Sequence, residues 1–247
     1  MTIMKRLVAL LILAMAVGAA SAQTTTTTET TPVEQEVSQP QTDWLATFYG
    51  VKIDGPMNVQ FKKVEAVEES RIIYDTKGNT TSKFKFEIDK KGTLVVSEKN
   101  DPKRTTVTDV VIYYYTLRDV KISHAKAEFE GTLERKLFDL TVSGGAIVSL
   151  DVDMLDVAID CTGSSQLTLK GKIKYLTMRA STAKVDCSRL SAVSATIVAA
   201  TSSEVRVSVD ERLEVTTSTG AKVLYKGHPA ILRNHIVAFG GDIININ

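Results

Sequence analysis

Between Leu117 and Tyr225 one short pattern returns six times, and it limits what the 247-residue chain can fold into more than any other feature. Each copy has alternating apolar residues, a corner of small residues, then a second apolar pair. The second pairs are Ala127/Phe129, Val148/Leu150, Leu167/Leu169, Val185/Cys187, Val205/Val207 and Val223/Tyr225, and their first members follow at 21, 19, 18, 20 and 18 residues. Apolar residues two apart share one face of a strand. A spacing held this closely marks stacked coils, whereas a sandwich has more variable connections. The expected fold is all-β: a parallel β-helix-like solenoid of about 18–21-residue coils with an irregular N-terminal β cap.

Ahead of the corners stand Leu140/Val142, Val157/Ile159/Cys161, Leu176/Met178, Ala195/Ile197 and Leu213/Val215. A third apolar point, at Leu133, Met154, Ile173 and Leu190, predicts a short third side. The corners are Ser143-Gly144-Gly145, Thr162-Gly163-Ser164, Ser181-Thr182-Ala183, Thr201-Ser202-Ser203 and Ser218-Thr219-Gly220. Glycine accepts positive φ, and serine and threonine bond their own backbone, so turn chemistry accounts for these residues. The hydroxyl ladder they imply along one edge is also a place to meet sugars or another β edge. Outward positions mix both charge signs. One row reads Glu128, Ser149, Thr168, Asp186, Arg206 and Leu224, and the next reads Glu130, Asp151, Lys170, Ser188, Ser208 and Lys226. The neighbours Asp186/Arg206 and Asp151/Lys170 are placed to pair, at about 0.5 kcal/mol for an exposed pair.

The remaining chain divides by composition. Lys5 and Arg6, the apolar run Leu7 to Val17 and the small-residue exit Ala20-Ser21-Ala22 predict a signal peptide over 1–22 and an exported protein, in the periplasm or at the cell surface. No cysteine lies near that exit, which excludes a lipid-modified cysteine anchor, and no later segment is apolar and long enough for a transmembrane helix. Residues 23–42, with the run Thr24 to Thr28, have too little apolar surface to offset ordering and are expected to be a disordered linker. Residues 43–247 are the expected folded domain. Within it, 43–116 form an N-terminal cap, 117–225 the coils and 226–247 a C-terminal cap whose run from Ile231 makes the last strand or two. In the first part, Val51/Ile53, Val59/Phe61, Phe84/Phe86/Ile88 and Leu94/Val96 alternate with polar residues, and Val64–Arg71 is the one expected short helix. Removing Lys5 and Arg6 leaves 28 basic against 29 acidic residues, from 30 and 29 in the whole chain, so nucleic acid or another polyanion is not expected as the main partner.

Little in the chain points to chemistry. Asp151, Asp153, Asp156 and Asp160 form the sharpest acidic cluster. Calcium needs six to eight converging oxygens, and alternation together with the next bend sends these carboxylates apart. His124, His228 and His235 lack metal-ligand spacing, and there is no Gly-x-Ser-x-Gly elbow. Serine and aspartate are plentiful, so a serine triad is not excluded by order alone. Cys161 and Cys187 fall on inward positions of different sides of the coil, which favours two buried thiols over a disulfide. No catalytic, cofactor-binding or metal-binding residue is assigned, and no cofactor is expected.

Three stretches carry a family resemblance covering roughly Phe48 to the C-terminus: the entry Val51-Lys52-Ile53-Asp54-Gly55-Pro56, the strand-corner-strand units, and the closing Tyr225-Lys226-Gly227-His228-Pro229. Together they resemble the auto-transporter adhesins with a head-GIN domain, common among secreted proteins of Bacteroidota-type bacteria. The resemblance implies a right-handed β-helix-like fold and a cell-envelope setting. The stretch after Tyr225 is too short for the many strands of a membrane barrel, so self-transport is not expected. The sequence therefore leads to an exported, non-enzymatic envelope protein, an adhesin or binding module whose partner is a glycan or a surface protein. Two alternatives stand beside it: a polysaccharide lyase or hydrolase on the same fold, and a purely structural envelope component.

Overall fold

The computed structural model describes residues 39–78, 83–103, 106–237 and 239–247. The expected signal peptide, and the expected linker up to residue 38, lie outside the described residues. The strands are β1 Gln41–Trp44, β2 Gly50–Asp54, β3 Met57–Lys63, β4 Arg71–Asp75, β5 Lys85–Ile88, β6 Thr93–Ser97, β7 Thr108–Tyr114 and β8 Asp119–Ser123. There follow β9 Lys126–Ser143, β10 Ile147–Thr162, β11 Gln166–Ser181, β12 Lys184–Ala200, β13 Glu204–Thr217, β14 Ala221–Lys226, β15 Ile231–Ile236 and β16 Gly241–Asn245. They build the β-solenoid that the spacing predicts, about seven turns of about 19 residues.

Every corner separates two flanks. Flank A leaves the corner and stacks Val59, Ala127, Val148, Leu167, Val185, Val205, Val223 and Ile243 in one inward ladder. Flank B enters the corner and stacks Val120, Leu140, Ile159, Met178, Ile197 and Val215. These ladders are buried apart from Ile243, which is partly covered at the C-terminal end. Each buried Val, Leu, Ile or Met side chain contributes about 1.5–3 kcal/mol through the surface it removes from water. Between Leu140 and Ile197 the flank B ladder steps by 19 residues each time, so the variation in spacing lies elsewhere. Register shifts opposite Ser149/Asp151, Thr168/Lys170 and Cys187/Ala192 absorb it where flank A meets the third side.

Those shifts correct the expected third side. Leu133 does not stack on Met154; it stacks on Val152, then Gly171, then Leu190, while Met154 stacks on Ile173, Ala192 and Val209. The third side thus has two inward ladders. Gly171 is required in one of them: its φ is +109°, and a β-carbon there would stand 2.1 Å from the Val152 carbonyl oxygen. Gly227, in the closing signature, has φ +102° and the same relation to the Val209 carbonyl.

The corners stack as well as the flanks. His124, Gly144, Ser164, Thr182, Ser202 and Thr219 all have φ between +51° and +64°. Their backbones bond from coil to coil, Ser164 N to the Thr182 carbonyl at 2.6 Å and Ser202 N to the Thr219 carbonyl at 3.0 Å. The next inward position takes only small residues: Ala125, Ala146, Ser165, Ala183, Ser203 and Ala221, all buried. Ser165 and Ser203 donate to the carbonyls of Thr162 and Ala180, so these hydroxyls satisfy backbone inside the stack.

The N-terminal part departs most from expectation. Val51/Ile53 and Val59/Phe61 belong to a complete coil, β2 with β3, that lies inside the stack. The next coil of the chain, β6 with β7, pairs on its outer side, and β8 with β9 then pairs on its inner side. The cap proper is antiparallel: β4 on β7, β1 on β4 and β5 on β6. Rings of Tyr74, Phe84 and Phe86 cluster over it at centroid distances of 4.7 to 6.2 Å. β1 opens at Gln41, two residues inside the stretch expected to be linker. The expected helix over Val64–Arg71 is a single 3-10 turn, Val67–Glu69, closed by Glu69 accepting from the backbone N–H groups of Glu65 and Ala66. At the other end the run from Ile231 supplies two strands, β15 and β16.

Candidate functional site

The outer face of flank A is one parallel sheet through β7, β3, β9, β10, β11, β12, β13, β14 and β16. Its outward rows hold hydrogen-bonding side chains of both charge signs. A shallow hollow of about 450 Å³ lies over Asn58, Gln60, Asp109, Val111, Lys126 and Glu128. A second, of about 370 Å³, lies over Gln166, Thr168, Lys184, Asp186, Glu204 and Arg206. Local partners occupy many of these groups. Asn58 donates to Asp109 at 2.9 Å, and Lys126 holds Glu128 at 3.0 Å. Burial opposes ionisation of Asp109, yet hydrogen bonds from Lys77 and Asn58 hold its carboxyl below the usual range. Asp186 is also held low, chiefly by the Ser188 hydroxyl and backbone N–H, with Arg206 and Arg189 adding attraction. Arg206 makes its ion pair with Glu204 at 2.9 Å, while Asp151 and Lys170 meet at 3.3 Å as their placement predicts.

A different kind of cavity, about 540 Å³, opens where the third side meets flank B. Its floor includes Tyr175, 45% exposed, with the Lys174 ammonium 5.3 Å from the ring centroid. Ser194 and Arg212 occupy the same row on the next two coils, and Thr196 and Glu214 lie two residues farther along flank B. Arg212 and Arg233 both reach Glu214, at 2.7 and 2.8 Å, and the Arg212 hydrogen bond leads in keeping that carboxylate ionised. An aromatic face beside a fixed set of donors and acceptors suits a ligand with one apolar side and a hydroxylated rim. The repeat pattern conceals this site because Tyr175 falls on an outward position beside Lys174, where it reads as ordinary surface. A large aromatic at an outward position was the available signal.

The residues singled out in the sequence do not converge. Asp151, Asp153, Asp156 and Asp160 are strung along β10, with Asp151 engaged by Lys170. Among the described residues no group of three or more His, Cys, Asp or Glu side chains is arranged to hold a metal. His124 stands in its corner within 3.0 Å of both Ser123 Oγ and Asp54 Oδ1. Both contacts use the same ring nitrogen, Nδ1, whereas a Ser-His-Asp relay needs one nitrogen for each partner. His228 lies 3.4 Å from Asn247, and His235 is on exposed β15. Cys161 on flank B and Cys187 on flank A are free, buried thiols, as favoured from the sequence. Burial pushes Cys161 up to about 12 and raises Cys187 as well, which keeps both as unreactive thiols.

A family model described as "Putative auto-transporter adhesin, head GIN domain" matches residues 47–229. No curated protein matches the chain. Among solved structures, a putative adhesin from Bacteroides fragilis NCTC 9343 superposes with a TM-score of 0.77 at 14% identity, over 85% of this chain and 98% of that one. A putative adhesin from Parabacteroides merdae ATCC 43184 gives 0.68 at 15% identity, over 86% and 97%. A protein from Parabacteroides distasonis ATCC 8503 described as a putative lipid binding protein gives 0.62 at 14%, over 86% and 98%. At these identities the likeness speaks for the fold alone.

Proposed function

The chain belongs to the auto-transporter adhesin family with a head-GIN domain, and from that membership we propose an exported, non-enzymatic binding module of the cell envelope that holds a glycan in the cavity beside Tyr175. The observation that carries the reading is the half-exposed Tyr175 ring set among Ser194, Thr196, Arg212 and Glu214. The C–H face of a sugar packs on such a ring while its hydroxyls meet the surrounding donors and acceptors. The two arginines that share Glu214 hold this rim in place without a flexible loop. The backbone beneath is continuous sheet, so the cavity is presented rigid and loses little freedom on binding.

The test is a glycan array, with pull-downs from envelope fractions, comparing the protein with its Tyr175→Ala variant. Binding to a restricted set of glycans is expected, weakened at least tenfold, about 1.4 kcal/mol, in the variant. Melting should stay unchanged, because the ring is a surface group. Turnover of any polysaccharide would overturn the non-enzymatic reading. Capture of a protein partner with no glycan retained would overturn the glycan.

A further inference from the structure

We propose that the C-terminal end of the solenoid docks a second copy of the chain, the two joining tail to tail about a twofold axis. Among the described residues β15 pairs with β13 alone and β16 with β14 alone, so each offers a full outer edge of backbone N–H and carbonyl groups. The core is also open there. Leu232 occupies the ladder position of Leu213 and Ile236 that of Thr217; both predecessors are 0% exposed, whereas Leu232 is 41% and Ile236 61% exposed. Phe239, in the corner between the two strands, is 91% exposed. The N-terminal end differs, closed by the antiparallel cap and its aromatic cluster. Bare apolar edges of this kind invite strand pairing.

The occupant follows from the shape of the end. β15 runs into the corner and β16 runs away from it, so a twofold axis through the corner lays each strand antiparallel on the other strand of the second copy. A helical ramp turned about an axis through its own midpoint stays parallel to itself, which keeps the two edges one strand spacing apart, about 4.8 Å, over their whole length. Side-chain direction also agrees. With Ile236 opposite Gly241 of the second copy, the outward Arg233 and His235 face the outward Ile244 and Asp242, and the inward Leu232 and Asn234 face the inward Asn245 and Ile243. His235 thereby meets the carboxylate of Asp242, and symmetry makes the contact twice. The same end pairing with itself closes the assembly at two chains.

Sedimentation velocity on the purified protein tests this. A dimer with a dissociation constant in the micromolar range or tighter is expected, converting to monomer in Phe239→Ser and Ile244→Lys. Because Phe239 is almost wholly exposed, its variant should fold. Cysteines in place of His235 and Asp242, introduced together, should give an inter-chain disulfide on mild oxidation; the native Cys161 and Cys187 are buried and do not compete. A protein that stays monomeric, chains growing beyond two, a dimer indifferent to both variants, a dimer without the cross-link, or a dimer lost on deleting residues 23–38 would each overturn the proposal.

Discussion

Gly171 packs its α-carbon where any side chain would run into the Val152 carbonyl oxygen at 2.1 Å, with a backbone at φ +109°. The cost of another residue there combines backbone strain with displacement of a neighbouring coil. Gly171→Ala should lose at least about 2 kcal/mol, read as a drop in the chemical-denaturation midpoint with an unchanged slope. Gly227 has the same relation to Val209, which gives the glycine of the closing signature a physical reason. At this scale the sequence was partly legible. Inward and outward residues of both flanks follow from alternation, because a side chain on a strand has only two directions. Which glycines are obligatory does not follow, since that depends on a carbonyl from the coil beneath, some 19 residues away. Nor do hydrogen-bond partners: Arg206 chooses Glu204 on its own strand over the neighbouring Asp186.

Among the elements, the corners carry the most strain per residue. Ser202 has φ +56° and bonds to Thr219 through its backbone N–H. Ser202→Gly removes the side-chain penalty of that conformation and adds freedom to the unfolded chain. The first effect, about 1–2 kcal/mol, exceeds the second, about 0.4–1. A net gain of about 0.5 kcal/mol is expected, seen as a melting temperature higher by about 1–2 °C. The flanks were readable because their apolar pairs keep period two and return at nearly constant spacing. The third side was misaligned because register shifts fall just before it. The β2/β3 coil was hidden for a different reason. The chain leaves it for β4 and β5 before making the next coil, so no constant spacing joins it to the others.

For the whole molecule, stability should grade along the stack. β10, β11 and β12 each have a coil on both sides, whereas β1 and β5 are four-residue strands with one neighbour each. Amide hydrogen exchange should be fastest among the strands in β1 and β5 and slowest in β10 to β12, by several orders of magnitude. The cavity beside Tyr175 was the least legible feature, because it is assembled from single residues of several coils and only the outward Tyr175 stands out in its own repeat. One property of the architecture reaches further. The cap closes one end, and from β10 onward each coil pairs with the coil before it and offers the same free edges to the coil that follows. In the terms of polymer chemistry the cap is an initiator and the last coil a living end. The cross-section is fixed by the residues of one monomer unit, and the length is fixed only by how many units are written into the gene. The length of the stack can therefore change in steps of about 4.8 Å without redesign of the core.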